Sequence, residues 1–217
     1  MSDLYRYEVK FILNEMNYSI CKEWLNSETA FHKKYPNRIV NSIYLDDQNF
    51  SSVKDNLSGI SERSKVRLRW YGDINTFEQK PCIENKSKKG RLGSKRYIHI
   101  DSLPDNLCKM KLYEILKIIN NEKDFKLASA KEYLYPSLFV KYEREYFEEK
   151  DKLRITIDHN IQFSPPLVSR KISDHQFLNY NKRILEIKFG IQSKDYVSSI
   201  IRNLNLVPSR NSKYLTG

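Results

Sequence analysis

Long apolar runs and paired cysteines are both missing from the sequence. No stretch approaches the roughly 18 consecutive apolar residues that a membrane-spanning helix needs. The N-terminus, MSDLYRYEVK, lacks the apolar core of a signal peptide. Cys21, Cys82 and Cys108 are widely spaced and have no nearby histidine ligand set, so neither a disulfide framework nor a zinc site is indicated. We therefore predict a cytoplasmic protein without a membrane segment of its own.

Glycine and proline are also scarce. The 217 residues include only 6 glycines and 7 prolines, and no linker or internal repeat divides them. A single domain over residues 1–217 is therefore the economical prediction. Hydrophobic residues reach only 40% of the chain, but 15 tyrosines and 10 phenylalanines supply aromatic surface for a core, so we expect a folded chain.

Positive charge is in excess. The chain has 38 Lys and Arg residues against 27 Asp and Glu residues, which gives a formal net charge of +11. Such an excess indicates a polyanionic partner: phosphate chains, nucleotides, nucleic acid or an acidic membrane surface. We expect no nucleic-acid partner, because no recognition helix or aromatic RNA-binding motif is visible and carboxylates among the basic residues would repel a nucleic-acid backbone.

Alternation with a period of two residues is the dominant pattern. Near the N-terminus, Tyr7, Val9 and Phe11 alternate with Glu8 and Lys10, which is typical of a strand with one apolar face. The pattern predicts strands at residues 5–11, 39–44, 65–70, 77–88, 95–100, 138–147, 153–158 and 185–189.

Apolar residues spaced by three and four positions predict short helices between these strands. The helices are expected at residues 47–57, 107–119 and 194–204. The predicted fold class is therefore α+β, with a mostly antiparallel sheet and a few helices packed around it.

The polar faces of the predicted strands carry charges of both signs. A solvated outer face is the simpler interpretation of any single strand, because most antiparallel sheets have one. The second interpretation is a barrel whose lumen contains the charges, with the apolar residues outside under the helices. A lumen lined in this way would bind a polyphosphate. The cations at polar positions are Lys10, Arg67, Arg69, Lys86, Arg144, Arg154 and Lys188, and the carboxylates on the same faces are Glu8, Glu84, Asp158 and Glu186.

Phosphate chemistry suits these side chains. Arg presents a planar fork to phosphate oxygens, Lys supplies a mobile charge, and Mg²⁺ or Mn²⁺ binds carboxylate oxygens while it keeps positions for substrate phosphates. Phosphoryl transfer needs positioning and charge neutralisation more than a covalent nucleophile. The sequence shows no Ser–His or Cys–His pair, which agrees with this chemistry.

Short segments spread along the chain, taken in order, resemble the VTC-type polyphosphate polymerase domain. They are RYEVK at 6–10, SIYLD at 42–46, KVRLR at 65–69, ENK at 84–86, YER at 142–144, LRITID at 153–158, LEIKFG at 185–190 and SKY at 212–214. That family belongs to the CYTH-like triphosphate tunnel metalloenzymes, whose antiparallel barrel encloses a basic tunnel. The resemblance covers nearly the whole chain. It implies a metal-dependent transfer of the γ-phosphate of ATP to a growing polyphosphate chain, with release of ADP.

The resemblance also implies a set of site residues. The tunnel cations would be Lys10, Arg67, Arg69, Lys86, Arg144, Arg154 and Lys213. Further substrate contacts would come from Lys95, Tyr142, Lys188 and Ser212, and Arg96 competes with Lys95 for its position. Ser212 and Lys213 would close over the terminal phosphate. The metal ligands would be Glu186 and Glu8, holding Mn²⁺ or Mg²⁺.

The match to the wider superfamily is incomplete. Arg6 stands where the first Glu of the ExExK signature would be, which leaves Glu8 and Lys10 and removes one possible metal ligand. A single-metal site on Glu186, assisted by Glu8, is therefore expected. A triphosphatase or nucleotide hydrolase on the same scaffold and a non-catalytic polyphosphate sensor stay open as competing functions. Any role at a membrane would need a partner protein.

Overall fold

Antiparallel strands make up most of the fold. The computed structural model describes residues 6–27, 30–73, 79–90, 92–104, 107–123, 125, 133–149 and 152–217, and within them nine strands form one sheet. The predicted α+β class is confirmed, since every strand pair of this sheet is antiparallel. The strands are β1 (Arg6–Leu13), β2 (His32–Asp46), β3 (Glu62–Tyr71), β4 (Gln79–Lys89), β5 (Leu92–His99), β6 (Tyr135–Glu149), β7 (Leu153–Ser164), β8 (Leu178–Tyr180) and β9 (Arg183–Gly190).

The sheet curls until its two edges approach each other. The strand order is β1-β9-β7-β6-β2-β3-β4-β5, and β8 pairs with β7. Glu8 on β1 nevertheless accepts a hydrogen bond from Lys86 Nζ on β4, at 2.8 Å, although these strands lie near opposite ends of the order. No backbone ladder joins β1 to β5 among the described strands, so the barrel has a seam there that side chains bridge.

Alternation along the strands separates an apolar outer face from an inner face that carries the charged side chains and a smaller apolar cluster. The outer faces of β1, β7 and β9 pack in one cluster with α1 (Glu15–Ser27) and α4 (Lys194–Asn203). The outer faces of β2 to β5 pack in a second cluster with α3 (Leu112–Asn121). Because the helices cover the outside of the sheet, the charged positions are directed into its curl.

The predicted helices are present with shifted ends. Helix α2 (Ser51–Leu57) begins later than expected, and carboxylates of the preceding residues cap it. Asp47 Oδ1 accepts the Ser51 N–H at 3.0 Å, and Asp46 Oδ1 accepts the Ser52 N–H at 3.1 Å. Residues 5, 77 and 78 of the predicted strands lie outside the described residues. Within the described part of the chain, no helix has the length and apolar character needed to cross a membrane.

Helix α1 lies outside the predicted set. Its buried residues Cys21, Trp24 and Leu25 follow a helical spacing, but the rest of the segment is polar and the pattern is weak. Tertiary contacts stabilise this helix, since the Trp24 indole N–H donates to the Ile200 carbonyl of α4 at 3.1 Å.

The C-terminal segment ends in a short helix, α5 (Lys213–Thr216), which docks on the inner face. The Tyr214 ring stacks on Tyr44 with 4.7 Å between centroids. The Tyr214 hydroxyl donates to the buried Asp46 carboxylate at 2.7 Å. The last residues of the chain are therefore positioned beside the inner-face charges.

Candidate active site

Three groups of charged side chains lie on the inner face of the sheet. The Glu84 group consists of Glu84 with Arg67, Arg69 and Lys95. The Asp158 group consists of Asp158 with Arg144 and Lys213. The carboxylate pair is Glu8 and Glu186, with Lys10, Lys86 and Lys188 around it.

Glu84 on β4 is bound by three cations. The strand register places it beside Arg67 of β3, and its Oε2 accepts a hydrogen bond from Arg67 Nε at 2.6 Å. Its Oε1 lies 3.3 Å from Arg69 Nη1 and 2.5 Å from Lys95 Nζ. Burial raises the pKa of Glu84, but the three cations lower it far below its usual range. The carboxylate is therefore ionised, and the group keeps a net positive charge.

Asp158 on β7 organises the second group. Its oxygens accept hydrogen bonds from Arg144 Nε at 2.5 Å and Arg144 Nη2 at 2.8 Å. Lys213 of α5 donates to the same carboxylate. Burial raises the pKa of Asp158, but Arg144 and Lys213 lower it far below its usual range, so this carboxylate is also ionised.

Tyr142 on β6 joins the two groups. Its hydroxyl accepts a hydrogen bond from Arg69 Nη2 at 3.0 Å. Arg144 and Lys213 lie over its ring, 5.1 and 4.6 Å from the centroid. The ring face favours cations, so Tyr142 holds charges from both groups next to one another.

The carboxylate pair spans β1 and β9. Glu186 lies opposite Lys10 in the ladder, and Lys10 Nζ is 3.0 Å from Glu8 Oε1 and 3.7 Å from Glu186 Oε2. Lys86 Nζ donates to Glu8 at 2.8 Å, and Lys188 pairs with Glu186. The two carboxylates thus face the same ammonium group.

Both carboxylates of the pair are ionised. Burial and the neighbouring Glu186 raise the pKa of Glu8, but Lys10, Lys86 and Lys188 lower it to about 2. Burial raises the pKa of Glu186, but Lys188, Lys10 and other nearby cations lower it well below its usual range. Ionised carboxylates are the protein ligands that Mg²⁺ and Mn²⁺ prefer.

The donor set fits a divalent cation that also binds phosphate. No group of three or more His, Cys, Asp or Glu side chains in the described part of the chain could hold a metal ion alone. Two carboxylates are nevertheless enough for Mg²⁺, which keeps several waters and takes substrate phosphate oxygens as ligands. Glu186 and Glu8 therefore suit a metal that arrives with a phosphorylated substrate.

The C-terminal segment contacts these groups through both backbone and side chains. Lys65 Nζ donates to Ser212 Oγ at 2.8 Å, and Lys10 Nζ donates to the Asn211 carbonyl at 3.2 Å. Lys213 follows directly and reaches Asp158. Ser212 and Lys213, far from the other site residues in sequence, thus lie among the inner-face cations.

The structure distinguishes Lys95 from Arg96, which the sequence leaves as competitors. Lys95 faces Glu84, whereas Arg96 is exposed on the opposite face of β5. Arg154 lies beside Lys188 in the ladder but is exposed at the start of β7. Its guanidinium has no ion-pair partner in the described part of the chain. The expected residues that the structure brings together are Glu8, Lys10, Arg67, Arg69, Lys86, Lys95, Tyr142, Arg144, Glu186, Lys188, Ser212 and Lys213.

Glu84, Asp158 and Lys65 shape the site although they are not among the site residues that the resemblance implies. Alternation with apolar neighbours places all three on polar faces, so their presence on the inner face is visible in the sequence. Their partners cannot be read from the sequence, because the strand register determines which residues of neighbouring strands lie opposite one another. Glu84 and Asp158 act as positioning residues that hold the guanidinium groups in place.

The arrangement suits phosphoryl groups rather than covalent catalysis. Cys82 lies opposite Arg69 in the ladder, but burial and the nearby Glu84 raise the pKa of its thiol, so no thiolate nucleophile is supplied. Cations fixed by carboxylates can bind phosphate oxygens without large rearrangement, which is the electrostatic preorganisation that phosphoryl transfer needs.

A known protein family matches almost the whole chain. The VTC domain family matches residues 5–217. No curated protein sequence matches the chain.

Solved structures from three other proteins share the fold. A putative adenylate cyclase from Vibrio parahaemolyticus has a TM-score of 0.57 at 10% identity, with 100% of both chains covered. A putative adenylyl cyclase from Hippeastrum, described as having a dominant triphosphatase activity, has a TM-score of 0.57 at 8% identity and covers 97% of this chain and 93% of its own. A protein from Pyrococcus horikoshii OT3 has a TM-score of 0.50 at 18% identity, with 96% and 93% covered. At these identities the likeness concerns the fold.

Proposed function

Because the chain belongs to the VTC domain family, we propose that it is a metal-dependent polyphosphate polymerase. The reaction transfers the γ-phosphate of ATP to the terminal phosphate of a polyphosphate chain. The bond between the γ-phosphorus and the β,γ-bridging oxygen breaks, a bond forms to an oxygen of the acceptor phosphate, and ADP leaves. The observation that carries this proposal is the convergence of the Glu84 group, the Asp158 group and the carboxylate pair on one inner face.

The protein cations have the role of binding and orienting the phosphates. Arg67, Arg69 and Arg144 present planar donors that match phosphate oxygens, and Glu84 and Asp158 already hold them in position. Little reorganisation is then needed when negative charge moves toward the leaving oxygen.

The carboxylate pair has the role of holding Mn²⁺ or Mg²⁺. Glu186 is the principal ligand in this proposal and Glu8 assists it, since both are ionised and both face Lys10. When bound, the metal neutralises charge on phosphate oxygens and orients them for in-line displacement. Lys10, which contacts both carboxylates, would be free to contact a phosphate oxygen if a metal took those carboxylates as ligands.

A triphosphatase on the same scaffold is the second candidate. Water can replace the acceptor phosphate without any change in the residues that bind and neutralise the donor. The Hippeastrum protein of the same fold is described as having a dominant triphosphatase activity, which favours hydrolysis over binding without turnover. A sensor without turnover is the third candidate, since every phosphate contact proposed above would also serve binding alone.

One incubation separates the three functions. Purified protein incubated with ATP and Mn²⁺ is expected to release ADP and to transfer the γ-phosphate to polyphosphate. The assay separates polyphosphate, ADP and free phosphate and measures all three. Free phosphate without polymer would instead establish the hydrolase. Tight binding of inorganic triphosphate without any product would favour the sensor.

Triphosphate binding is expected to take up a proton at Lys65. Burial lowers the pKa of Lys65, and the cations Lys10, Lys86, Arg63 and Lys88 lower it further, to about 7. At pH 8 the free amine is mostly neutral, and a bound polyanion raises its pKa, so binding consumes a proton. Affinity should therefore fall as pH rises above 7, by at most about tenfold per pH unit.

Titration calorimetry at pH 8, in buffers with different ionisation enthalpies, measures this proton uptake. Lys65→Met should remove up to one proton from the uptake. The matched variant Lys89→Met changes an exposed lysine on the outer face of β4 and should leave the uptake as it is. Equal uptake in the parent and in Lys65→Met would show that another group accepts the proton.

A further inference from the structure

Thr156 on β7 carries a buried hydroxyl that the described residues leave without a hydrogen bond. The residue is 9% exposed. Its Oγ1 has neither a donor nor an acceptor as partner within the part of the chain that the structure describes. A buried hydroxyl without a hydrogen bond destabilises a folded protein, and most buried polar groups avoid this state. Such a group is explained when a second state of the site supplies the missing partner.

The Thr156 side chain lies on the inner face, beside the carboxylate pair. Thr156 is directly opposite Glu186 in the β7–β9 ladder, and Glu186 is directly opposite Lys10 in the β1–β9 ladder. Asp158, two positions further along β7, binds cations of the inner face. Because residues two positions apart in a strand point to the same face, the Thr156 hydroxyl and the Glu186 carboxylate share one side of the sheet.

Glu186 can reach this hydroxyl by rotation of its side chain. Residues directly opposite in an antiparallel ladder have Cβ atoms about 5 Å apart, and the Glu186 carboxylate stands on a flexible stem. In the structure both of its oxygens face lysines instead. Oε1 pairs with Lys188, and Oε2 is 3.7 Å from Lys10 Nζ. The hydroxyl of Thr156 is thus next to an acceptor that has other partners.

Binding of a divalent cation by Glu186 would change the partners of its oxygens. An ammonium group that shares a carboxylate with a divalent cation is repelled by that cation, so Lys10 and Lys188 are poor partners in this state. A hydroxyl is neutral and can donate to the second carboxylate oxygen without such repulsion. Hydrogen bonds of this kind orient a ligating carboxylate and strengthen metal binding.

We propose that Thr156 is a positioning residue of the metal site. Its hydroxyl donates a hydrogen bond to the oxygen of Glu186 that does not bind the metal, and this bond holds the carboxylate in the ligating orientation. The inference rests on the proposed function, because it takes Glu186 as the principal metal ligand. It also accounts for the buried hydroxyl of Thr156, whose acceptor becomes available when Glu186 leaves its lysine partners.

The test measures metal binding rather than turnover. Thr156→Val removes the hydroxyl and keeps the branched shape of the side chain. Electron paramagnetic resonance of Mn²⁺ follows binding of the preformed complex of Mn²⁺ with inorganic triphosphate, and we expect Thr156→Val to weaken this binding about tenfold. Triphosphate alone, measured by calorimetry without metal, should bind as tightly as in the parent, because the cations of the site are unchanged.

Matched variants separate the hydroxyl from the fold. Thr156→Ser keeps the hydroxyl and should bind the Mn²⁺–triphosphate complex as tightly as the parent. Ser164→Ala removes another buried hydroxyl of β7, which donates to the Pro165 carbonyl at 3.3 Å, and should leave this affinity as it is. If Thr156 acts through Glu186, the double variant Thr156→Val/Glu186→Gln should bind the complex no more weakly than Glu186→Gln alone.

The results that count against this role of Thr156 differ from those that count against the enzyme. Equal affinity of the parent and Thr156→Val for the Mn²⁺–triphosphate complex, a loss in Thr156→Ser as large as in Thr156→Val, or a further loss in the Glu186→Gln background would overturn the inference. A parent that binds the complex but turns over no ATP would contradict the polymerase and leave the comparison of variants valid. A parent in which Mn²⁺ is not bound with triphosphate would overturn both the metal role of Glu186 and the role of Thr156.

Discussion

Replacing Glu186 with Gln is expected to reduce metal-dependent turnover of ATP at least about a hundredfold, equivalent to about 2.7 kcal/mol of transition-state stabilisation. Glu186 is buried, ionised and positioned beside Glu8, and it is the principal ligand of the proposed metal. Gln has the same shape but no charge, so the fold should survive while the metal ligand is lost. Steady-state ADP release across a range of Mn²⁺ concentrations measures the effect.

Triphosphate binding measured without metal should not weaken in this variant, in contrast to turnover. This difference identifies loss of the metal ligand as the cause of the lost activity. Glu186→Gln frees Lys10 and Lys188 from their carboxylate partner, so inorganic triphosphate should bind as tightly as in the parent or more tightly. Glu8→Gln should cost less activity, since Glu8 only assists. Glu143→Gln, on the exposed side of β6, is the matched control and should keep full activity. Unchanged turnover in Glu186→Gln would remove this residue from the metal site.

Replacing Asp158 with Asn is expected to lower the free energy of unfolding by about 3–5 kcal/mol, because it leaves Arg144 and Lys213 buried without their counter-ion. For a chain of this length, that loss corresponds to a fall in Tm of roughly 10 °C. Denaturant unfolding and thermal melting without ligand measure it. Glu143→Gln again serves as the control, because its side chain is 42% exposed whereas that of Asp158 is 0% exposed.

Phosphate should partly rescue the Asp158→Asn variant. Triphosphate oxygens can take the place of the lost carboxylate beside Arg144 and Lys213, so a saturating ligand should raise the Tm of the variant more than that of the parent. A cost below about 1 kcal/mol would show that Asp158 is not a structural partner of these cations. Equal ligand-induced shifts in the two proteins would place the bound phosphates away from Arg144.

Most of the secondary structure could be predicted because the strands are strongly amphipathic. The period of two residues locates β1, β3, β7 and β9 and assigns their side chains to opposite faces. Helix α1 is harder to find because only Cys21, Trp24 and Leu25 are buried in a polar segment. The three-residue strand β8 is too short for periodicity to detect.

The candidate site could be predicted only as a set of residue types on shared faces. Alternation places Arg67, Glu84 and Asp158 on charged faces, and the resemblance to a family adds the C-terminal Ser212 and Lys213. Neither source shows that Lys213 pairs with Asp158 or that Lys65 meets Ser212. Such contacts join residues far apart in sequence, and no local pattern encodes them.

The order of residues alone establishes which side chains share a face, because successive residues of a strand point in opposite directions whatever the strand pairs with. It also establishes the excess of positive charge, from which a polyanionic ligand is predicted. The folded chain is needed to show which cations each carboxylate binds, which of the described cations have no counter-ion, and that β1 comes to face β4 across the seam. These contacts depend on strand register and on the curl of the sheet, because both determine the distances between residues that are far apart in the sequence.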